Sequence, residues 1–406
     1  MLILSREALK FLQISDLHLG AGLAGGRLKL PYDKIQIRAR EMREVVKTAI
    51  ELARNEAVEA MLIPGDLWEQ DGVSLEDINY ILDYFERAQI PILIAPGNHD
   101  YYYPSSHYND NLIASTCRRR WPSNVHIFRD YEFDHIMLPE LPEVVFSGFA
   151  YRSASEVHIR LLESRVETPD AALHICLLHG SRDNNLPNGK MRTLPFSDAD
   201  LLNQPFDWTA LGHYHRHSII QDDQGRIRAA YTGAASAFSL NETEAGGALL
   251  GVVRPGGVKP DELKLIQLDA RRIHHLSMDI TGCAHTQAVE ERIEAGLRAG
   301  NVGKDDIALV ELTGAYPPGS RIFLSEDFIR SACWFLRVET ERVLPEWSLE
   351  GLSEVNPRTT EGLFIARIKQ MMEDADRRGD TIERQRLQHA MQYGLNALHS
   401  RPINVR

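Results

Sequence analysis

Five short polar motifs each follow an apolar run: Asp16-Leu-His18, Gly65-Asp66, Gly97-Asn98-His99-Asp100, Leu178-His179-Gly180 and Gly212-His213-Tyr214-His215. Asp16, His18, Asp66, Asn98, His179, His213 and His215 offer carboxylate oxygens, imidazole nitrogens and an amide oxygen, with no thiolate among them. That mixture of hard and borderline donors suits Mn²⁺, Fe²⁺ or Zn²⁺. Seven donor residues are too many for one ion. They suit a pair of ions about 3.5–4 Å apart when one carboxylate bridges them. Asp-x-His sends two side chains off the same side of a strand end, and glycine before Asp66, Asn98 and His213 lets the backbone turn tightly. One such motif arises by chance. Five in a fixed order argue for a dinuclear site rather than for unrelated structural histidines.

Open α/β sheets bind ligands beyond the carboxyl ends of their strands, so the runs before the motifs should be strands that end at one edge. Leu9–Ile14, Ala60–Ile63, Ile90–Ala95, Val144–Phe149, His174–Leu178, Trp208–Leu211 and Ala229–Thr232 read as strands. Ala248–Val253 and Leu263–Leu268 flank Pro-Gly-Gly and read as a hairpin. Glu41–Asn55 reads as a helix with Met42, Val45, Val46, Ala49 and Ala53 on its buried face. A second helix should be capped by Ser74 with Asp77 and carry the stripe Leu75, Ile78, Leu82, Phe85. Helices alternating with strands early and β structure later describe an α/β sandwich spanning residues 1–270. Residues 271–345 read as a small α+β module: strand Ile273–Ile280, helix Gln287–Leu297, strand Ile307–Leu312, a short helix capped by Ser325, and strand Trp334–Glu339. In residues 346–406, Pro345 and Pro357 bracket a linker, and two helices follow. Leu363, Phe364, Ile368, Met371 and Ala375 stripe the first; Leu387, Met391, Leu395 and Leu398 stripe the second. Gly379 ends the first helix, and Asp380 with Glu383 starts the second.

Composition narrows the class. The 406 residues are 43% hydrophobic and 25% charged, the balance of a soluble globular protein rather than of a disordered or disulfide-stapled chain. No apolar run is long enough to span a bilayer, and the first residues show no signal-peptide pattern, so the expectation is a cytoplasmic protein with no membrane association. Cys117, Cys176, Cys283 and Cys333 are widely separated and read as buried thiols. The net charge of −12 argues against a general nucleic-acid coating protein. It leaves room for a nuclease whose ions supply local positive charge.

The five motifs in this order resemble the calcineurin-like metallophosphoesterase superfamily. Phe11-Leu-Gln-Ile-Ser-Asp-Leu-His-Leu-Gly20, Pro64-Gly-Asp-Leu-Trp68 and Pro96-Gly-Asn-His-Asp100 are similar to the SbcD-type DNA repair exonucleases, a branch that includes the YhaO-like group and the Mre-type double-strand-break nucleases. The resemblance is specific over residues 9–250. It implies a four-layer α/β/β/α metallophosphoesterase sandwich, a capping domain in residues 271–345 and a C-terminal helical hairpin. It also implies two divalent ions, Mn²⁺ first among the candidates. Asp16, His18, Asp66 and His215 would hold one ion, and Asp66, Asn98, His179 and His213 the other, with Asp66 bridging. His99, held by Asp100, would protonate the leaving alkoxide. The activity implied is DNA phosphodiester cleavage, 3′-5′ exonuclease and endonuclease, in double-strand-break repair. The partners implied are DNA, an SbcC-like SMC-type coiled-coil ATPase docked on the tail, and a second copy of the chain. Two positions depart from the family pattern: Glu69 stands where some relatives carry His, and Gly233-Ala-Ala-Ser236 stands where relatives tend to show Gly-Ser-Pro.

Weaker signals remain. Arg118-Arg-Arg-Trp121 could meet a DNA backbone but reads first as a solvated face. Tyr101-Tyr-Tyr103 could stack on bases or simply pack its loop. His217 fits no ligand position and reads as a residue behind the site or on the surface, and His274 and His275 read as structural. Two other functions compete: a small-nucleotide phosphodiesterase on the same core, and a non-catalytic adaptor of an ATPase, which the intact donor set disfavours.

Overall fold

The structure, a computed structural model, describes residues 6–23, 28–155, 159–183, 192–244, 246–317, 322–345, 356, 358–399 and 404–405. It divides into two compact units, Met1–Arg272 and Ile273–Arg406. The linker expected between Pro345 and Pro357 lies almost wholly outside the described residues.

In the first unit the elements run β1 (Leu9–Gln13), α1 (Tyr32–Asn55), β2 (Ala60–Ile63), α2 (Leu75–Ala88), β3 (Ile92–Ile94), α3 (Asp110–Thr116), β4 (Val125–Ile127), β5 (Asp134–Leu138), β6 (Leu141–Gly148) and β7 (Leu173–His179). They continue with α4 (Asp198–Leu202), β8 (Trp208–Gly212), β9 (Ser218–Gln221), β10 (Ile227–Tyr231), β11 (Ala248–Arg254) and β12 (Gly257–Ile266). Strands β4-β3-β2-β1 pair in parallel, as do β6-β7-β8-β10. The antiparallel strands β11 and β12 join the two groups into one twelve-stranded array. The join is narrow: β10 meets β12 only at Ile227 opposite Val258.

The two half-sheets pack face to face. Leu9, Phe11, Leu62 and Leu93 from one share a core with Phe146, Ile175, Leu177, Trp208 and Ala230 from the other. The rings of Phe11 and Trp208 lie 4.9 Å apart between centroids; truncating either would cost about 3–5 kcal/mol. Leu12, Met61, Ile63 and Ile94 are also buried. They alternate to the other face, which α1 and α2 cover as the crossovers of parallel β1-β2-β3. The outer face of the second half-sheet is covered mainly by loops. Its cluster joins Tyr151, Leu162, Phe196, Phe206, Tyr214 and Tyr231, with Leu201 of the five-residue α4. The α/β/β/α sandwich is therefore present, with a thin fourth layer.

Two local expectations shift. Helix α1 begins at Tyr32, nine residues before Glu41, and its first turns are anchored by ion pairs: the buried Arg38 pairs with Asp269, and Arg271 with Glu41. In α2 the capping box of Ser74 and Asp77 forms as expected, but Leu75 is 46% exposed and Ile81 takes its place inside.

Gln13, at the end of β1, rivets the two half-sheets where the polar motifs begin. Its amide nitrogen donates to Leu211 O at 3.2 Å, Ala230 O at 2.9 Å and Thr232 Oγ1 at 3.0 Å, and its oxygen accepts from Trp208 Nε1 at 3.2 Å. A fully satisfied buried amide fixes a unique arrangement; an unsatisfied one would cost about 1–3 kcal/mol.

The second unit runs β13 (Ile273–Asp279), α5 (Thr286–Ala299), β14 (Ile307–Tyr316), β15 (Phe323–Leu324), α6 (Glu326–Ala332) and β16 (Phe335–Pro345), of which β13, β14 and β16 form a parallel three-stranded sheet in the order β13-β14-β16. Val289, Ile293 and Leu297 of α5 pack on Val310 and Leu312. Helices α7 (Thr360–Arg378) and α8 (Thr381–His399) follow, and β17 (Asn404–Val405) pairs in parallel with β15. Gly379 ends α7 in the left-handed conformation at φ 67°. The hairpin packs on itself: Phe364, Ile365, Ile368, Met372 and Ala375 meet Leu387, Met391 and Leu395. Leu363, Met371 and Leu398, expected in the stripes, are 63%, 37% and 47% exposed. Among the described residues no helix is long and apolar enough to cross a membrane. Cys176, Cys283 and Cys333 are buried free thiols, and Cys117 is half-buried.

Candidate metal centre

The motifs sit at the carboxyl ends of parallel strands. Asp16 and His18 follow β1, Asp66 follows β2, and Asn98, His99 and Asp100 follow β3; His179 ends β7, and His213 and His215 follow β8. Asp16 (φ 52°), His18 (φ 49°), Asp66 (φ 55°) and His213 (φ 104°) all adopt positive φ. Such conformations cost about 1–3 kcal/mol each and persist where surrounding structure overrides them. Here Asp16 N–H donates to Gly65 O and His18 N–H to Asp66 O, at 3.2 and 3.0 Å, locking the first two motifs together. Gly212 is required where it stands, because a Cβ there would collide with the carbonyl oxygen of Pro64.

Most of the seven expected donors converge and are buried. Asp16, His18, Asp66, Asn98, His179 and His213 are at most 7% exposed, and the His215 side chain 11%. His18 Nε2 lies 3.2 Å from His215 Nε2 and 3.6 Å from Asp66 Oδ2. His179 Nε2 lies 3.2 Å from the same Asp66 oxygen and 3.0 Å from Asn98 Oδ1. Asp66 Oδ2 thus stands between the two groups, while Asp66 Oδ1 accepts from the His99 N–H at 2.9 Å. Asp16 gathers both with His18 and His215 and with Asp66 and His179. His213 is joined through its backbone N–H, which donates to Asp16 Oδ1 at 2.9 Å, and its ring lies edge-on to His179 at 5.2 Å.

The outward nitrogens show what this cluster fits. His18 Nδ1 donates to Glu69 at 3.0 Å, His215 Nδ1 to Glu242 at 2.6 Å, and His179 Nδ1 to the Pro64 carbonyl at 2.9 Å. Acceptors at all three Nδ1 positions select the Nδ1–H tautomer and turn bare Nε2 lone pairs inward. Two such lone pairs 3.2 Å apart, beside two buried carboxylates, repel unless a cation lies among them. The donor set therefore fits divalent ions.

Electrostatics point the same way. Burial pushes the Asp66 carboxyl up, but the His179 imidazole outweighs it and holds it well below its usual range. Burial would lower His179, yet attraction to Asp66 dominates and pushes it up to about 9. The cluster thus recruits positive charge, a proton when nothing else is there. Burial lowers His18.

Two side chains change the expected roles. Asp100 does not hold His99. Its carboxylate accepts from the backbone N–H groups of Asp66 (3.1 Å), Leu67 (2.7 Å) and Gly97 (2.6 Å) and from Tyr108 OH (2.7 Å). Those four donors aim it at the two loops it ties together. His99 Nδ1 donates instead to Glu69 Oε2 at 2.8 Å, so Glu69 spans His18 and His99 with one oxygen each. Burial raises the Glu69 carboxyl, but the two histidine hydrogen bonds outweigh it and hold it low. Burial lowers His99, but the Glu69 hydrogen bond prevails and raises it. Glu69 thereby favours the charged form of the His99 imidazole. Glu69 was legible only as a departure from the family pattern, and Glu242 carried no signal.

The weaker signals resolve toward structure. Arg119 pairs with Asp83 and Glu86 of α2, at 2.6 and 3.2 Å. Tyr101 packs on the aromatic cluster, and Tyr103 OH accepts from Gln70 at 3.3 Å. His217 Nδ1 donates to Tyr231 O at 2.8 Å, His274 pairs with Asp306 at 2.9 Å and His275 with Glu311 at 3.4 Å.

Residues 9–217 match the sequence model of the family described as Calcineurin-like phosphoesterase. The chain belongs to that family. It is 28% identical over 241 residues to the uncharacterized metallophosphoesterase YhaO of Bacillus subtilis, covering 58% of this chain and 55% of that one. It is 26% identical over 233 residues to the DNA double-strand break repair protein Mre11 of Sulfurisphaera tokodaii, covering 54% and 52%. The chain thus spans about half the length of the curated relatives it matches. A solved dimetal phosphatase from Danio rerio aligns with 62% of this chain and 98% of its own, at 11% identity and a TM-score of 0.36, a likeness too slight to carry an argument. The chain's family is one of phosphoesterases, and the buried cluster of Asp16, His18, Asp66, His179 and His215 is the candidate seat for divalent ions. Two ions held there would supply an activated water and would neutralise phosphate oxygens. The chain's own part is to orient the imidazoles, His18 and His99 through Glu69, His215 through Glu242 and His179 through the Pro64 carbonyl.

Proposed function

We propose that this phosphoesterase is a DNA nuclease, cutting phosphodiester bonds with two Mn²⁺ ions as the nuclease subunit of a double-strand-break repair complex. Asp16, His18, Asp66 and His215 hold one ion, Asp66, Asn98, His179 and His213 the other, and His99 protonates the leaving 3′ oxygen. The observation that carries this reading is the intact donor cluster with His99 held beside it by Glu69 at 2.8 Å. The likeness to the archaeal Mre11 supports DNA as the substrate. We further propose an SbcC-like coiled-coil ATPase as partner, a homodimer and a cytoplasmic site of action. The hairpin favours the docking part: Leu363, Ile382, Tyr393 and Leu398 expose apolar surface after its inner face is used.

A second reading, a small-nucleotide phosphodiesterase, is favoured by the net charge of −12 and by the engagement of Arg119 with Asp83 and Glu86. Mn²⁺-dependent cleavage of end-labelled single- and double-stranded DNA, run beside bis(4-nitrophenyl) phosphate, separates the two. Cleavage of both substrates supports the nuclease. Cleavage of the small diester with DNA left intact would select the second reading.

A further inference from the structure

Glu242 belongs to none of the five motifs and lies beyond the residues matched to the family, 9–217. Its carboxylate is 11% exposed and reaches the metal centre from the segment between β10 and β11. One oxygen accepts from His215 Nδ1 at 2.6 Å. The other accepts from the backbone N–H groups of Phe238 and Ser239, at 2.8 and 3.2 Å. The carboxylate is therefore anchored at one end by backbone and holds an imidazole at the other. The ring of Phe238, from the same segment, lies 4.5 Å from the His18 ring and 5.2 Å from the His215 ring between centroids. On the far side Glu69 holds His18 Nδ1 at 3.0 Å. The facing pair of Nε2 atoms is thus braced by a carboxylate behind each ring and an aromatic ring against both.

We propose that Glu242 is a positioning residue for the ion seated at His18 and His215: it selects the His215 tautomer and aims its Nε2 at that ion. This rests on the reading that Asp16, His18, Asp66 and His215 form one of two ion seats. Carboxylates behind ligating histidines fix ring orientation and raise donor strength, and losing one weakens metal binding by about 10–100-fold. The effect should fall on one ion of the two, because Glu242 touches His215, while His179 is backed by Pro64.

The test is Mn²⁺ titration of metal-stripped wild type, Glu242→Gln and Glu242→Ala, followed by calorimetry and by the spin-resonance signal of free Mn²⁺. Thermal melts in chelator report whether each variant is folded. Wild type should take up two ions. Glu242→Ala should lose about 10–100-fold in affinity for one and keep the other. Glu242→Gln, which retains an acceptor oxygen, should fall between them and guards against a misfolded alanine variant. Folded variants that bind both ions as wild type does, or lose both equally, would overturn the proposal. Wild type that never binds a second ion would instead overturn the two-ion reading beneath it, and does so whether or not DNA is cleaved.

Discussion

Replacing Glu69 by alanine removes one acceptor from His99, at 2.8 Å, and one from His18, at 3.0 Å. The two losses have different signatures. Hydrogen bonds to charged groups contribute about 1.5–3 kcal/mol, which at 1.36 kcal/mol per decade is about 10- to 150-fold in rate when the bond serves the transition state. The His18 bond serves an ion seat, so its loss should appear as weaker Mn²⁺ binding, about 10–100-fold. At saturating Mn²⁺ only the first effect should survive in kcat. It should be larger for a dinucleotide, whose alkoxide needs a proton, than for bis(4-nitrophenyl) phosphate, whose phenolate leaves without one. Because Glu69 acts there through His99, adding Glu69→Ala to His99→Ala should cost little beyond the about 10²–10⁴-fold of the single His99 change. Rate measurements on both substrates for the two single variants and the double variant complete the cycle. Effects that multiply fully at saturating Mn²⁺, or equal losses for the two leaving groups, would refute the coupling.

Other outcomes follow from the same geometry. With His179 pushed up to about 9, its proton competes with the incoming ion across neutral pH, so apparent Mn²⁺ affinity should climb from pH 7 toward 9 and proton uptake by buffer should accompany binding; an affinity flat over that range would contradict the Asp66–His179 pairing. Asp100→Asn leaves about two of four buried donors without an acceptor and should destabilise the metal-free protein by about 2–6 kcal/mol in urea, with a loss under about 1 kcal/mol counting against its role as a loop tie. In the tail, Leu363→Glu with Tyr393→Glu should leave metal binding, helix content and small-diester turnover intact while abolishing binding of a coiled-coil ATPase, whereas Leu387→Glu with Leu395→Glu should melt the hairpin itself, as circular dichroism would show. Retained ATPase binding by the first pair would sink the docking surface.

The polar motifs were legible because each sits where a buried strand runs out, and strands of this kind announce themselves as unbroken apolar runs: Ala60–Ile63 and Trp208 onward were read nearly to the residue. The early turns of α1 were not legible. Residues 32–40 carry no apolar stripe, and their anchor, the Arg38–Asp269 pair, spans more than two hundred residues of sequence. Periodicity gave the tail helices but not their rotation, because Leu363 and Ile365, or Met371 and Met372, serve a 3.6-residue stripe almost equally well; packing against Leu387 and Leu395 decides between them. Within the site, donor identity followed from residue type, while the partners of the histidines did not. Asp100 stands next to His99 in sequence, which suggests it as the partner, yet neighbouring side chains in a tight turn diverge, and the acceptor comes from Glu69 across the loop. Glu242 reaches the centre only through the tertiary fold.

The proposed chemistry requires two ions sharing one bridging carboxylate, that of Asp66. Metal-stripped protein titrated with Mn²⁺ while bis(4-nitrophenyl) phosphate hydrolysis is followed tests this most directly, with Asp66→Ala beside the wild type. Turnover should rise as the second equivalent binds and level at two per chain, and Asp66→Ala should bind at most weakly and stay inactive. Full activity at one equivalent, or two-ion binding by Asp66→Ala, would contradict it.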